Sequence, residues 1–572
     1  MRAGSKIGAG ANVVHGPEPV GEGKTRFNVW SPEAKALSVI LMPGGVEIPM
    51  TQDARGVWSA VTDATVGARY LLKFGEHPVD FVSGRTQPDP FSRWQPDGAA
   101  GPSAVYHPST YRFQNQAWRG QAQERLNFYE LHVGTLSDEG SFRAAESHLR
   151  RASRAGYTVF EPLPVAQFPG SRNWGYDGVY PAAIHNTYGG PRAYQELVDV
   201  ACGEGLDIAA DVVLNHLGPH HNYAYGIAPH FRKGGDWGDS INYDVRAVRD
   251  WALQVCEQYL RDFRVNVLRL DAVHAILDKQ EPHIVAEIVE LARRVENETG
   301  RKIHVIAETN QPHHEMLTHL GCHARWNDDF HHCLWAGLFG VHQGYYAEFA
   351  DSPFNKLAEV LRHGSIGRPG VDRASWLLPK HFLVSLDNHD QVGNRPLAPR
   401  LATLLGGNVP AQQALFTLLK LSGFIPLTFA GQEYGETRPF NYFTDFPDNP
   451  SLALDVQAGR QREHTQMGWS VSEPAPDDIQ TFRAALLVHA TGRARDTLRL
   501  TDAFLNRLRA EHAQLLGNAF PDVALTHQRV LTMTRPGLKV EVNLSPDRRG
   551  ALEPWGAAIN EKSLQAHLGD AV

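Results

Sequence analysis

Three carboxylates stand where short apolar runs stop. Val267-Leu268-Arg269-Leu270 ends in Asp271, Ile303-His304-Val305-Ile306-Ala307 ends in Glu308, and Phe382-Leu383-Val384-Ser385-Leu386 runs into Asp387-Asn388-His389-Asp390. A single acid just past a strand is usually a helix cap or half of a salt bridge, but three at strand ends suggest one shared site. Hydrolysing a glycosidic bond with retention needs a carboxylate nucleophile facing a protonated carboxylic acid, about 5 Å apart, around an oxocarbenium-like transition state. Arg269 lies two residues before Asp271, hence on the same side of an extended strand, where a fixed positive charge keeps that carboxylate ionised as a nucleophile. Glu308 has no such cation beside it in sequence, which makes it the better candidate for the acid that stays protonated. Of 28 histidines, only His216 and His389 adjoin strand-end motifs.

Side chains from separate strand ends meet at the C-terminal face of a (β/α)8 barrel. From about residue 125 the sequence alternates short apolar strands with amphipathic helices, the pattern of a parallel barrel. Eight strands are expected, at 127–133, 158–163, 207–214, 265–270, 303–307, 324–326, 382–386 and 425–429. Between them, Val248, Ala252, Val255 and Tyr259 mark one buried helical face, and Pro191 opens another helix that stops near Gly203 and Gly205. Upstream, β-rich runs at 25–30, 37–41, 57–61 and 69–74 suggest a small sandwich, followed by a Pro-rich connector from Gln87 to Pro102. Downstream, a helix at about 496–516 precedes strand-like pieces at 530–534 and 538–544. The expected fold class is α/β: a TIM barrel at 111–485, an N-terminal β-sandwich at 1–110, and a C-terminal helix plus small β domain at 486–572.

The 572 residues, 42% of them hydrophobic, are too many for one ordinary core and too apolar for disorder. A net charge of -8 without a basic block excludes the electrostatic footprint of nucleic acid or an anionic membrane surface. A neutral, diffusing substrate suits it better. The N-terminus lacks the apolar core of a signal peptide and no apolar run approaches the ~20 residues of a membrane span, so a cytoplasmic protein is expected. Cys202, Cys256, Cys322 and Cys333 have neither metal-ligand spacing nor disulfide density and read as small buried apolar residues. No metal is expected, no cofactor motif is visible, and acid/base and covalent chemistry needs none.

Asp211-Val-Val-Leu-Asn-His216, Leu268-Arg-Leu-Asp271, Ala307-Glu308 and Asn388-His-Asp390 resemble, in order, the four motifs of the α-amylase clan, over roughly 129–469. The resemblance implies Asp271 as nucleophile, Glu308 as acid/base and Asp390 as the carboxylate that grips sugar hydroxyls in the transition state. It further implies that Arg269 orients Asp271, that His216 and His389 hydrogen-bond the sugar, and that Tyr176 stacks on its ring. Trp174 and His274 complete these candidate contacts. Asn215 stands where some relatives bind calcium, without identifiable oxygen partners.

Within the clan, the stretches 129–135, 173–181, 344–349, 388–395 and above all Trp326-Asn-Asp-Asp-Phe-His-His332 most resemble the maltooligosyltrehalose trehalohydrolases. That likeness implies cleavage of the α-1,4 bond next to a terminal trehalose, with maltooligosyltrehalose as substrate and trehalose as product. Asp328 and Asp329 would bind trehalose hydroxyls, and Trp326 and Phe330 would either supply apolar surface or sit in the core. Asn266-Val267, Thr309 and the stretch 430–434 depart from the family's usual residues and are expected to fall beside the cleft. A branching or α-amylase-like activity would use the same three acids, and a glucan-binding scaffold with an inactive barrel is the alternative outside catalysis.

Overall fold

The structure, a computed structural model, describes residues 12–21, 23–311, 314–368, 375–470, 473–560 and 562–568. The first eleven residues of the stretch read for a leader lie outside the described residues.

Strands Phe128–Leu131, Val159–Pro162, Asp207–Val212, Val267–Leu270, His304–Ala307, Ala324–Trp326, Phe382–Ser385 and Ile425–Phe429 form a closed barrel. All neighbours are parallel, and the last strand returns to the first with Phe128 opposite Leu427. Every expected strand is present, most of them trimmed at the ends where the chain bends into a loop.

Period-two alternation sorts the barrel interior into layers. The lower layer is apolar: Phe128, Val159, Ala209, Val267, Ala324, Leu383 and Ile425 belong to one buried cluster. Two residues further along their strands, Glu130 pairs in register with Glu161, and Asp211 with Arg269, so a charged layer lies on the apolar one. Two residues further again, Asp271 and Glu308 reach the rim. One rule thus places both the packed floor and the acids above it.

The N-terminal domain is two antiparallel sheets. One runs Gly16–Gly21, Lys24–Trp30, Val57–Asp63, Thr51–Gln52; the other runs Val46–Pro49, Leu37–Met42, Arg69–Phe74, Thr86–Gln87. The start of the expected connector therefore joins the second sheet, where Gln87 pairs with Leu72. This domain docks on helix Arg246–Glu257: the Val13 N–H donates to Asp250 at 3.0 Å, and Gln254 exchanges two bonds with the His15 backbone. Downstream, helix Arg493–Glu511 leads to a five-stranded antiparallel sheet built around Val530–Arg535 and Leu538–Asn543. Among the described residues, no helix is long and apolar enough to cross a membrane. All four cysteines are free and buried.

Candidate active site

A cleft of about 890 Å³ opens over the C-terminal ends of the barrel strands, with Asp271, Glu308 and Asp390 in its lining. Asp271 and Glu308 follow their strands directly, and Asp390 sits in the first turn of helix His389–Gly393, whose cap is Asn388.

Arg269 donates to Asp271 Oδ1 at 2.6 Å and to Asp211 Oδ1 at 2.8 Å. Asn215 Nδ2 holds the other oxygen, Asp271 Oδ2, at 2.8 Å. Both oxygens are thus fixed in place by donors. Asn215, the position at which some relatives bind calcium, thus orients this carboxylate.

Glu308 is not as isolated from cations as its sequence neighbours suggested, because Arg269 Nη2 lies 3.9 Å from Glu308 Oε2. The Ala272 N–H donates to the same oxygen at 2.6 Å, from a backbone in the left-handed region (φ 40°), where a non-glycine residue costs roughly 1–2 kcal/mol. Burial nevertheless pushes Glu308 up to about 8; Arg269 opposes this, while the charges of Asp271 and Asp390 add to it. One guanidinium therefore meets two carboxylates differently: it hydrogen-bonds Asp271 at 2.6 Å and stands 3.9 Å off from Glu308, which burial pushes toward its protonated form.

Beneath the acids, within the charged layer, a chain of buried groups anchors Arg269. His389 meets Glu130 Oε1 through Nδ1 at 2.7 Å and the Tyr176 hydroxyl through Nε2 at 2.8 Å. The Tyr176 hydroxyl donates to Asp211 Oδ2 at 2.8 Å, and Asp211 accepts from Arg269. Burial works against charge on His389, but Glu130 and Asp390 outweigh it and raise the imidazole to about 9. As an imidazolium it donates from both nitrogens, which fixes the direction of every bond in the chain. Glu130 and Asp211 stood in the sequence within motif stretches without a role of their own; their contacts depend on cross-strand register.

The structure divides the remaining expected contacts. His216, Tyr176, His274, Asp328 and Asp329 line the cleft together with the three acids. His216 Nε2 lies 3.1 Å from the Tyr176 carbonyl, and the Asn310 N–H approaches His274 Nδ1 at 3.5 Å. Burial, with the charges of Asp390 and Asp329, raises Asp328 to about 6. Asp329 is gripped by both arms of Arg368, at 2.7 and 2.9 Å, so its carboxylate is already committed to a cation.

The other expected contacts are partly or wholly engaged within the protein. His389 is 1% exposed with both ring nitrogens engaged, by Glu130 and by the Tyr176 hydroxyl. Tyr176 keeps an edge on the cleft, but its ring stacks on His389, centroids 5.2 Å apart. Trp174 lines the cleft while only 2% exposed, packed on Phe440 with its indole N–H donating to the Asn441 carbonyl. Trp326 and Phe330 belong to the core: Trp326 lies in the barrel interior with the Arg269 guanidinium 4.6 Å over its ring, because strand alternation places position 326 in the charged layer. Of the departures from the family pattern, Thr309 lines the cleft. Asn266 bonds the Lys302 carbonyl at the opposite end of the barrel, and the Ala430 carbonyl accepts from Arg400 behind the wall.

The far wall was missed in the sequence. Helix Pro450–Gln466 contributes Gly459, Arg460 and Glu463 to the cleft, and Arg460 donates to the Gly393 carbonyl and Asn394 Oδ1 beside the Asp390 helix.

Residues 10–92 match the family model of carbohydrate-binding module 48, the isoamylase N-terminal domain. A crystal structure of a Salmonella typhimurium protein described as an alpha amylase superposes with a TM-score of 0.83 at 33% identity, covering 93% of this chain and 94% of that one. The malto-oligosyltrehalose trehalohydrolase of Rhizobium sp. (strain M-11) is 37% identical over 94% of each chain, and that of Brevibacterium helvolum 34% identical over 94% of this chain and 99% of its own. With the acids intact and this likeness running through all three parts of the fold, the chain belongs to the malto-oligosyltrehalose trehalohydrolase family, glycoside hydrolases of the α-amylase type.

Proposed function

We propose that this enzyme hydrolyses the α-1,4-glucosidic bond next to the terminal trehalose of maltooligosyltrehalose, with retention, releasing trehalose. Asp271 attacks the anomeric carbon of the maltooligosyl residue while Glu308 gives its proton to the departing O4 of trehalose. The maltooligosyl chain is left as an ester on Asp271. Water, deprotonated by the now ionised Glu308, attacks the same carbon, frees the chain and returns the proton to Glu308. Asp390, at the rim, grips hydroxyls of the reacting sugar. Arg269 and Asn215 hold Asp271 in the attacking orientation, so its positioning is settled before substrate arrives.

Trehalose is the leaving group, so the choice of substrate falls to the part of the cleft beyond Glu308, where Asp328 and the wall carrying Arg460 present polar groups to its hydroxyls. A cytoplasmic setting accords with four free, buried thiols.

The observation that carries this reading is a chain-long likeness to trehalohydrolases combined with an acid at Glu308 kept protonated by burial. Chromatography of the products from maltotriosyltrehalose tests it. Trehalose and maltotriose are expected in equal amounts; glucose or maltose without trehalose would indicate an amylase-type activity and overturn it.

A further inference from the structure

Away from the acids, His220, His221 and Asp448 bring three ligating groups together, with one donor atom from each within 4.8 Å of the others. His220 Nε2 lies 2.8 Å from Asp448 Oδ1, and His221 Nε2 lies 2.9 Å from Asp448 Oδ2. Consecutive residues on an extended chain point to opposite sides. Here the two imidazoles face the same way, ring centroids 3.8 Å apart, because His221 takes a left-handed backbone, φ 58°. The imidazoles are 15% and 18% exposed and the carboxylate 55%, so the nitrogens are partly shielded while one side stays open to water. The Tyr223 hydroxyl lies 3.4 Å from His221 Nδ1, the kind of outer contact that orients a metal-binding ring.

We propose that His220, His221 and Asp448 form a binding site for a divalent transition cation of the zinc type, completed by water. Two imidazoles and a carboxylate suit zinc, cobalt or nickel, whereas calcium and magnesium take oxygen ligands. Zinc bonds of about 2.0–2.2 Å set tetrahedral ligand atoms roughly 3.4 Å apart, so the ion enters by slightly widening the existing His–Asp contacts.

Its consequence follows from what the trio joins. Pro219, beside His220, lines the cleft on one side. Asp448 stands two residues before helix Pro450–Gln466, whose cap Asn449 lies 3.4 Å from His220 Nδ1. The ion would clasp the loop after the third barrel strand to the far wall, stiffening the cleft without entering the chemistry.

Isothermal titration of the chelator-treated, full-length protein with zinc tests the site, alongside His221→Ala and Asp448→Asn. One equivalent is expected in the parent and none in either variant, with cobalt giving tetrahedral visible absorption only in the parent. Zinc should also slow amide exchange in helix Pro450–Gln466. A zinc isotherm unchanged in both variants places the ion elsewhere and overturns the proposal, as does no binding in the parent. Binding without slowed exchange overturns the clasp. Metal-free trehalose release should match the parent in both variants, showing that each is folded.

Discussion

At the residue scale, the proposed acid, Glu308, sets how rate should depend on pH. Its carboxyl is raised to about 8, so the proton it must donate is present below that value and lost above it. The value of kcat/KM on maltotriosyltrehalose should therefore fall about tenfold per unit as pH rises beyond about 8. Glu308→Gln should cost roughly 10²–10⁴ in rate on that substrate. A maltosyl fluoride, whose leaving group needs no proton, should still form the ester on Asp271 in the variant, read as a burst of fluoride without the alkaline fall. An alkaline limb that persists in Glu308→Gln would assign it to another group. Asn215 is the second test: Asn215→Ala frees Asp271 Oδ2, and misplacement of this order costs about 10²-fold, here in kcat with KM unchanged. An unaltered kcat would show that Arg269 alone positions the nucleophile. The acids were legible because each ends an apolar run. Asn215 was not, because its partner is 56 residues away and they meet only through the register of adjacent strands.

At the element scale, the strands were legible and the far wall was not, for the same reason. A barrel strand is buried on both faces and reads as a short apolar run, whereas helix Pro450–Gln466 covers a cleft, buries only Ala453 and His464, and has no apolar stripe to find. Trp326 stayed open for a related reason: an aromatic at a strand end reads equally as pocket or core until the layers are counted. The short helix His389–Gly393, which carries Asp390, depends on close packing. A Cβ on Gly393 would meet the Trp174 ring at 2.1 Å and the Phe440 carbonyl at 2.8 Å. Gly393→Ala should thus displace the helix, lowering kcat and destabilising the fold by about 1–3 kcal/mol. Trp174→Phe in the same chain should recover part of both by removing the atoms in conflict. A kcat insensitive to Gly393→Ala, measured by trehalose release, would mean that the helix can yield without moving Asp390.

At the scale of the molecule, the three parts share buried contacts that no local pattern announces. Lys420, on barrel helix Val409–Leu421, lies fully buried 3.6 Å from Asp502 on the C-terminal helix Arg493–Glu511. Lys420 donates to Asn127 and Thr428 of the barrel, while Asp502 accepts from Tyr157 and Asn506. Burial opposes both charges, drawing the ammonium down to about 8 and pushing the carboxyl up, so each is tolerated mainly because of the other and its hydrogen bonds. Asp502→Ala leaves a buried cation without its counter-charge, a change that costs about 3–5 kcal/mol. A Lys420→Met, Asp502→Leu pair removes both charges at similar volume and should lose much less. The contacts bind the C-terminal helix to residues bordering the first, second and eighth barrel strands. Asp502→Ala should therefore lower the midpoint of one shared thermal transition, followed by calorimetry, while kcat at low temperature stays near that of the parent. A barrel that melts at its original midpoint after the C-terminal domain has loosened would show that the catalytic domain stands without this lock.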